Sequence, residues 1–327
     1  MEGSELIMPR TAIQWTSLIA TILVLALIFI GGLVRSTGAG LGCPDWPRCW
    51  GALWPPASAA EIQLDKINPA KIPAEYRNVP DPRVFFNKDK MWIEYLNRLW
   101  GVLSGFAVIA MVLASIRWIR KRPVLFRLSS LILVLMLIQG WLGALVVRSG
   151  LKQNMITIHM GIAMGILGLL ILTTFIAFGS RRAAGDAPAP IRKTMAILIT
   201  AALAATLVQI IGGTHVRELL DHVADTRPDL PRGAWIHQLG LPDHFHRAFS
   251  WVVLLATLGM RIHARKLPGM VPRANIALAL VAMQLALGIS LAYFALPPAS
   301  QFLHLGTAVS LAAVLFRMGL DVTGKGS

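Results

Sequence analysis

His159 and His304 have the setting that most clearly points to chemistry. Each lies in an apolar run long enough to cross a bilayer, and each follows a glutamine, Gln139 or Gln284, by twenty residues. Ionisable residues inside a membrane span are costly and tend to be functional. His246 and Asn97 fall at matching depth in two further runs. Each half of the chain therefore offers two facing positions of ligand type. Two imidazoles on facing helices can hold a haem iron from both sides, a common use of a four-helix core. The pair His246 and His304 is complete, whereas His159 faces Asn97, and asparagine is a poor haem ligand. His244, two residues from His246, faces elsewhere on its helix and is a weaker ligand candidate. The bland alternative for each histidine is a buried imidazole bonded to a neighbouring helix. His215, His222, His237 and His263 read as surface residues.

Glu94 precedes Asn97 by three residues and shares its helical face. A carboxylate there could move a proton or stabilise positive charge, or it could simply pair with Arg98 one turn on. Asp243 and Arg247 repeat that spacing. Arg35, Arg98, Arg148, Arg217 and Arg247 sit near one membrane boundary, where arginine forks suit the carboxylates of haem propionates. The only cysteines, Cys43 and Cys49, frame Cys-Pro-Asp-Trp-Pro-Arg-Cys in a loop. A disulfide, two reduced thiols and a redox-cycling pair are all compatible with that spacing. No phosphate-cradling loop, nucleophile elbow or zinc-type spacing occurs.

The elements that position these residues are transmembrane helices. The chain has 327 residues, 55% apolar and 14% charged, where soluble domains carry roughly a quarter charged residues. A span needs roughly 20 apolar residues. Eight stretches qualify, at about 13–33, 93–116, 128–147, 155–178, 194–213, 244–262, 274–294 and 301–320. The first lacks a cleavage signature after Ile30 and reads as a retained anchor. The formal charge of +15 is concentrated in the loops after the second, fourth and sixth spans. Arg117, Arg120, Lys121, Arg122 and Arg127 fill the first of these. Arg181, Arg182, Arg192 and Lys193 fill the next, and Arg261, Arg265, Lys266 and Arg273 the last. Short Lys/Arg-rich loops stay cytoplasmic. Both termini are therefore expected inside, and the charge reads as a topology signal rather than nucleic-acid binding.

The chain also repeats itself. Gln139-Gly-Trp-Leu-Gly143 matches Gln284-Leu-Ala-Leu-Gly288, and Met160-Gly-Ile-Ala-Met matches Leu305-Gly-Thr-Ala-Val. Glu94-Tyr-Leu-Asn-Arg98 aligns with Asp243-His-Phe-His-Arg247, and Gly31-Gly-Leu-Val-Arg35 with Gly212-Gly-Thr-His-Val-Arg217. Landmarks in one order imply two parallel four-helix halves. The expected fold is an all-α integral membrane protein, with residues 1–185 and 186–327 forming two pseudo-symmetric four-helix bundles. The glycines at 140, 143, 212 and 213 suit close helix packing.

Gly31-Gly-Leu-Val-Arg-Ser-Thr-Gly-Ala-Gly-Leu-Gly42, with Asp45-Trp46 and Pro55-Pro56, resembles the first-helix and loop signature of haem A synthases. Glu94-Tyr-x-x-Arg98, His159, His246-Arg247 and His304 continue the resemblance across nearly the whole chain. It implies an oxidoreductase that converts the C8 methyl of haem O to a formyl group by successive hydroxylations. It further implies haem b in the C-terminal half, held by His246 and His304 with Arg247. The substrate haem is then expected in the N-terminal half, near His159, Asn97, Arg98 and Arg35. Glu94 matches the family's essential glutamate, and Cys43 and Cys49 match a loop cysteine pair found in some members. Asn97 departs from the histidine that many members carry. A haem O synthase, an electron donor and the lipid bilayer are the expected partners, with self-association open and nucleic acid excluded. A bacterial cytoplasmic membrane is the expected location. Competing readings are a dihaem quinol-oxidising electron carrier and a non-enzymatic haem carrier or assembly factor.

Overall fold

In the computed structural model, residues 11–179 and 187–323 are described. Arg181 and Arg182, and the boundary expected between 185 and 186, lie outside the described residues. Within them the chain is all-helical. The long helices are α1 (Ala12–Ser36), α2 (Lys88–Ile116), α3 (Pro123–Arg148), α4 (Gln153–Phe178), α5 (Ala189–Thr226), α6 (Leu241–His263), α7 (Val271–Tyr293) and α8 (Pro298–Thr323).

Local sequence sets their ends. At the start of α1 the Gln14 side chain accepts from the Thr11 N–H at 2.8 Å. The helix closes where Gly38 takes φ +63° and donates to Arg35 O, since glycine enters the left-handed region without steric cost. Asn87 caps α2 by accepting from Lys90 N–H at 3.0 Å. Pro123 and Pro298 stand in the first turns of α3 and α8, where a missing N–H costs nothing.

Seven of these helices are long and apolar enough to cross a membrane, and α6 is not. Asp243, His244, His246 and Arg247 occupy its first turns, and Arg261 and His263 its last. The stretch free of charged residues and histidine is only 248–260. The eight-span expectation therefore differs from the structure at the helix that carries the densest polar chemistry.

A second difference concerns α5, which runs for 38 residues, roughly 57 Å at 1.5 Å per residue. The hydropathy ends near 213, but the helix continues to Thr226. Arg217 and Asp221 are helix-compatible residues that pair one turn apart at 2.8 Å, so polarity rises without a break in the backbone. His215 and His222 sit on this extension, and His237 lies in the following 3-10 segment Arg232–Gln238; all three are exposed. His263 is not the surface residue expected. It is half-buried, and its Nε2 lies 3.1 Å from Ile191 O.

α1 packs on α2 and α4, and α3 on α2 and α4. α5 packs on α6 and α8, and α7 on α6 and α8. α1 and α4 also pack on α8. One apolar core gathers Val24, Val108, Met111, Ile132 and Leu170. Another gathers Ile199, Val253, Met260, Val281 and Leu315. α1 and α8 approach so closely that a methyl group at Gly306 would lie 2.1 Å from the Phe29 ring. Ile22, Phe106, Leu137, Ile211 and Leu255 are exposed, the residue types that suit a hydrocarbon surround.

Candidate functional site

His246 stands near the start of α6 and His304 near the start of α8. Their ring centroids lie 6.4 Å apart, with the ring planes at 68°. A metal bound at ~2.0–2.1 Å by each of two imidazole nitrogens places the ring centroids roughly 6 Å apart. The spacing fits one iron between the rings. In both rings Nδ1 is buried without a hydrogen-bond partner. The two histidines line a cavity of about 490 Å³ whose other walls are mostly apolar, such as Val253, Leu285 and Leu311. Arg35, Arg217 and Arg247 line the same cavity. An apolar slot with paired imidazoles and guanidinium groups matches the chemistry of haem, which is a flat apolar macrocycle with an iron and two carboxylates. His244 is exposed and does not line the cavity.

The backbone of each histidine is tied to a neighbouring helix. Gln209 Nε2 donates to His246 O at 2.9 Å, and Gln284 Nε2 to His304 O at 2.5 Å. One turn along, Gly213 and Gly288 face the rings. A Cβ on Gly213 would lie 3.1 Å from His246 Cε1, and one on Gly288 3.7 Å from His304 Cε1. His159 on α4 has the same surroundings. Gln139 Nε2 donates to its carbonyl at 2.8 Å, and a Cβ on Gly143 would lie 3.6 Å from its Cε1. Gln209 had no part in the sequence reading, although it precedes Gly213 by four residues just as Gln139 precedes Gly143. Asn97, aligned with His246, keeps its Oδ1 buried and without a partner.

Glu94 is 3% exposed, and both its oxygens are engaged. Oε2 accepts from the Cys43 N–H at 2.8 Å, and Oε1 accepts from Arg98. Arg98 also donates to the carbonyls of Cys43 at 2.7 Å, Asp45 at 2.7 Å and Arg48 at 2.9 Å. Cys43 and Cys49 form a disulfide, so of the three states open to that spacing the oxidised one is present. Asp45 fastens the same loop by accepting from Trp50 N–H at 2.7 Å and Gly51 N–H at 2.9 Å. The loop lies directly on α2, because a Cβ on Gly42 would fall 2.4 Å from Lys90 O. Burial, and then the charges of Glu75 and Glu94, raise the pKa of the Tyr76 hydroxyl. It therefore stays a donor, to Leu41 O at 2.8 Å.

The repeated acid–arginine spacing thus does two different jobs. Arg98 spends its donors on the disulfide loop. Arg247 pairs with Asp243 at 2.7 Å and remains substantially exposed along the cavity wall. Arg35 reaches from α1 to Asp221 on α5 and to Gln153 on α4, each at 2.8 Å. It therefore stands beside the His246–His304 cavity, near both halves. Arg217 shares Asp221 and also bonds Gln301. Arg148 is exposed.

Residues 14–316 match the family model described as cytochrome oxidase assembly protein, COX15-CtaA. The chain is 29% identical to the heme A synthase of Rhizorhabdus wittichii over 95% of its own length and 94% of that protein. It is 27% identical to the heme A synthase of Paracoccus denitrificans, covering 94% and 87%. It is 24% identical to that of Shewanella oneidensis, covering 96% and 98%.

Proposed function

We propose, from the premise that the chain belongs to the COX15-CtaA family of cytochrome oxidase assembly proteins, that it is a haem A synthase. The observation that carries this reading is the His246–His304 pair in an apolar, arginine-edged cavity. These two imidazoles would hold the iron of haem b, with Arg247, Arg217 and Arg35 placed to take carboxylates. When bound, that haem supplies one-electron transfer.

The N-terminal half would take haem O as substrate, with His159 as the protein ligand and Asn97 supplying none. Its C8 methyl is oxidised in two hydroxylations. Each would replace a C–H bond by a C–OH bond with dioxygen as co-reactant: one oxygen atom enters at that carbon and the other leaves as water, with two electrons from the donor and two protons consumed. The geminal diol then loses water to leave the formyl group. Glu94, buried beside the loop, would assist proton movement. Arg98 holds Glu94 and the loop in register. The disulfide braces that loop or passes reducing equivalents. Haem O would come from a haem O synthase, and electrons would pass through a separate donor.

In this reading α6 is an eighth crossing. Its 23 residues span roughly 34 Å at 1.5 Å per residue, and Asp243, His246 and Arg247 line the cavity. The helix set α1–α4 and the helix set α5–α8 then form two four-helix bundles, in a bacterial cytoplasmic membrane with both termini inside.

The test is pigment analysis. The chain is co-expressed with a haem O synthase in a host that lacks haem A, and the extracted haems are chromatographed. Haem A is expected; haem B and haem O alone, with folded protein present, would overturn the assignment.

A further inference from the structure

We infer that Gln139, Gln209 and Gln284, each with the glycine four residues on, position His159, His246 and His304 as haem ligands. This rests on the ligand reading given above. Three helix pairs, α3 with α4, α5 with α6 and α7 with α8, carry one arrangement. An amide on the first helix donates to the backbone carbonyl of the histidine on the second, at 2.8, 2.9 and 2.5 Å respectively. Four residues beyond each glutamine, on the same face, a glycine lies against the imidazole.

The physics of the arrangement is specific. A helical carbonyl has two lone pairs, and its own helix uses one. The glutamine takes the other and so fixes the axial offset between the two helices at the residue that bears the ring. In a hydrocarbon surround no water competes for that bond. The glycine removes the side chain that would push the ring away and limits the ring's rotation by contact with bare backbone. Depth is set by the amide and orientation by the glycine.

The fourth pair, α1 with α2, keeps the glycine, Gly32, which lies against Leu305 and Phe302 of α8, but lacks the amide and the imidazole. Ile28 stands four residues before Gly32, and the facing position is Asn97, with its Oδ1 buried and unpartnered. The amide is missing where the histidine is missing. The fold therefore builds three ligand positions, two in the C-terminal half and one in the N-terminal half.

The test uses full-length protein in membranes, carrying its haem. Gln209→Met and Gln284→Met keep side-chain length and remove the donor. Each is expected to retain haem b in wild-type amount while its low-spin electron paramagnetic resonance g-values and its midpoint potential shift. Gln209→Glu, whose carboxylic acid still donates when protonated, is expected to return the wild-type g-values. Gln139→Met is expected to leave the haem b g-values unchanged. Wild-type g-values and potentials in both methionine variants would overturn the inference. If a methionine variant fails to accumulate, Gly213→Ala gives the second measurement. Its methyl presses on His246, and an unmoved haem b signal there also overturns the inference. His246→Ala and His304→Ala separate the two levels. A low-spin signal that survives them sinks the ligand reading. A signal lost in them but unmoved in the glutamine variants sinks only the positioning role.

Discussion

The Arg35 guanidinium on α1 lies 2.8 Å from the Asp221 carboxylate on α5, and that same carboxylate holds Arg217 at 2.8 Å. One acid thus restrains two arginines at the cavity edge. Asp221→Asn removes the negative charge and leaves both positive ones. Both pairs are partly exposed, so the stability loss should be small, about 0–1 kcal/mol each, read by thermal melts in detergent. The electrostatic effect should be clearer. Added net positive charge favours the reduced, less positive haem, so the midpoint potential of haem b should rise. An unchanged potential would show that Asp221 does not act on that site, and a lowered one would contradict the electrostatic argument.

The ligand assignment predicts a loss rather than a shift. His246→Ala or His304→Ala should abolish the low-spin haem b absorption spectrum in purified protein. An unchanged spectrum in either variant would mean that the iron is held elsewhere.

Glu94 separates two roles that the geometry joins. Glu94→Ala is expected to keep haem b but to stop haem A formation, measured by spectrum and chromatography on one preparation. Normal haem A yield would reduce Glu94 to a fastening for the loop. Arg98→Ala should be the more damaging change to stability. It strips the donors from three loop carbonyls and leaves the buried Glu94 carboxylate unpaired, a loss of about 3–5 kcal/mol. A melting temperature within a degree of wild type would contradict the clamp.

The α1–α8 contact makes a prediction about packing alone. Gly306→Ala places a methyl inside the Phe29 ring envelope and should cost about 1–3 kcal/mol. Adding Phe29→Leu should recover part of that loss, which a double-mutant cycle of thermal melts reads directly.

Much of this architecture was legible in the chain because bilayer burial writes itself into long apolar runs. The three histidines were legible because an imidazole in such a run has few bland explanations. The extension of α5 was not, since hydropathy reports the membrane boundary and not the end of the helix. By sequence 244–262 counts as a span, but the polar load that made the site visible leaves α6 outside the helices apolar enough to cross a membrane. Arg98 read as a haem contact because spacing cannot tell which carbonyls a guanidinium will find. The loop that occupies it lies 50 to 55 residues earlier in sequence. Gln209 was the missed residue with a findable signal. Its four-residue offset from Gly213 repeats those of Gln139 and Gln284, and comparing the repeat at polar as well as histidine positions would have exposed it.

The Gly306–Phe29 seam joins the first of the long helices to the last. α1 is made before α8, so Phe29 meets its Gly306 counterpart only once the eighth long helix has been added. A chain that stops short of α8 is left with an open flank and with His246 lacking its counterpart His304.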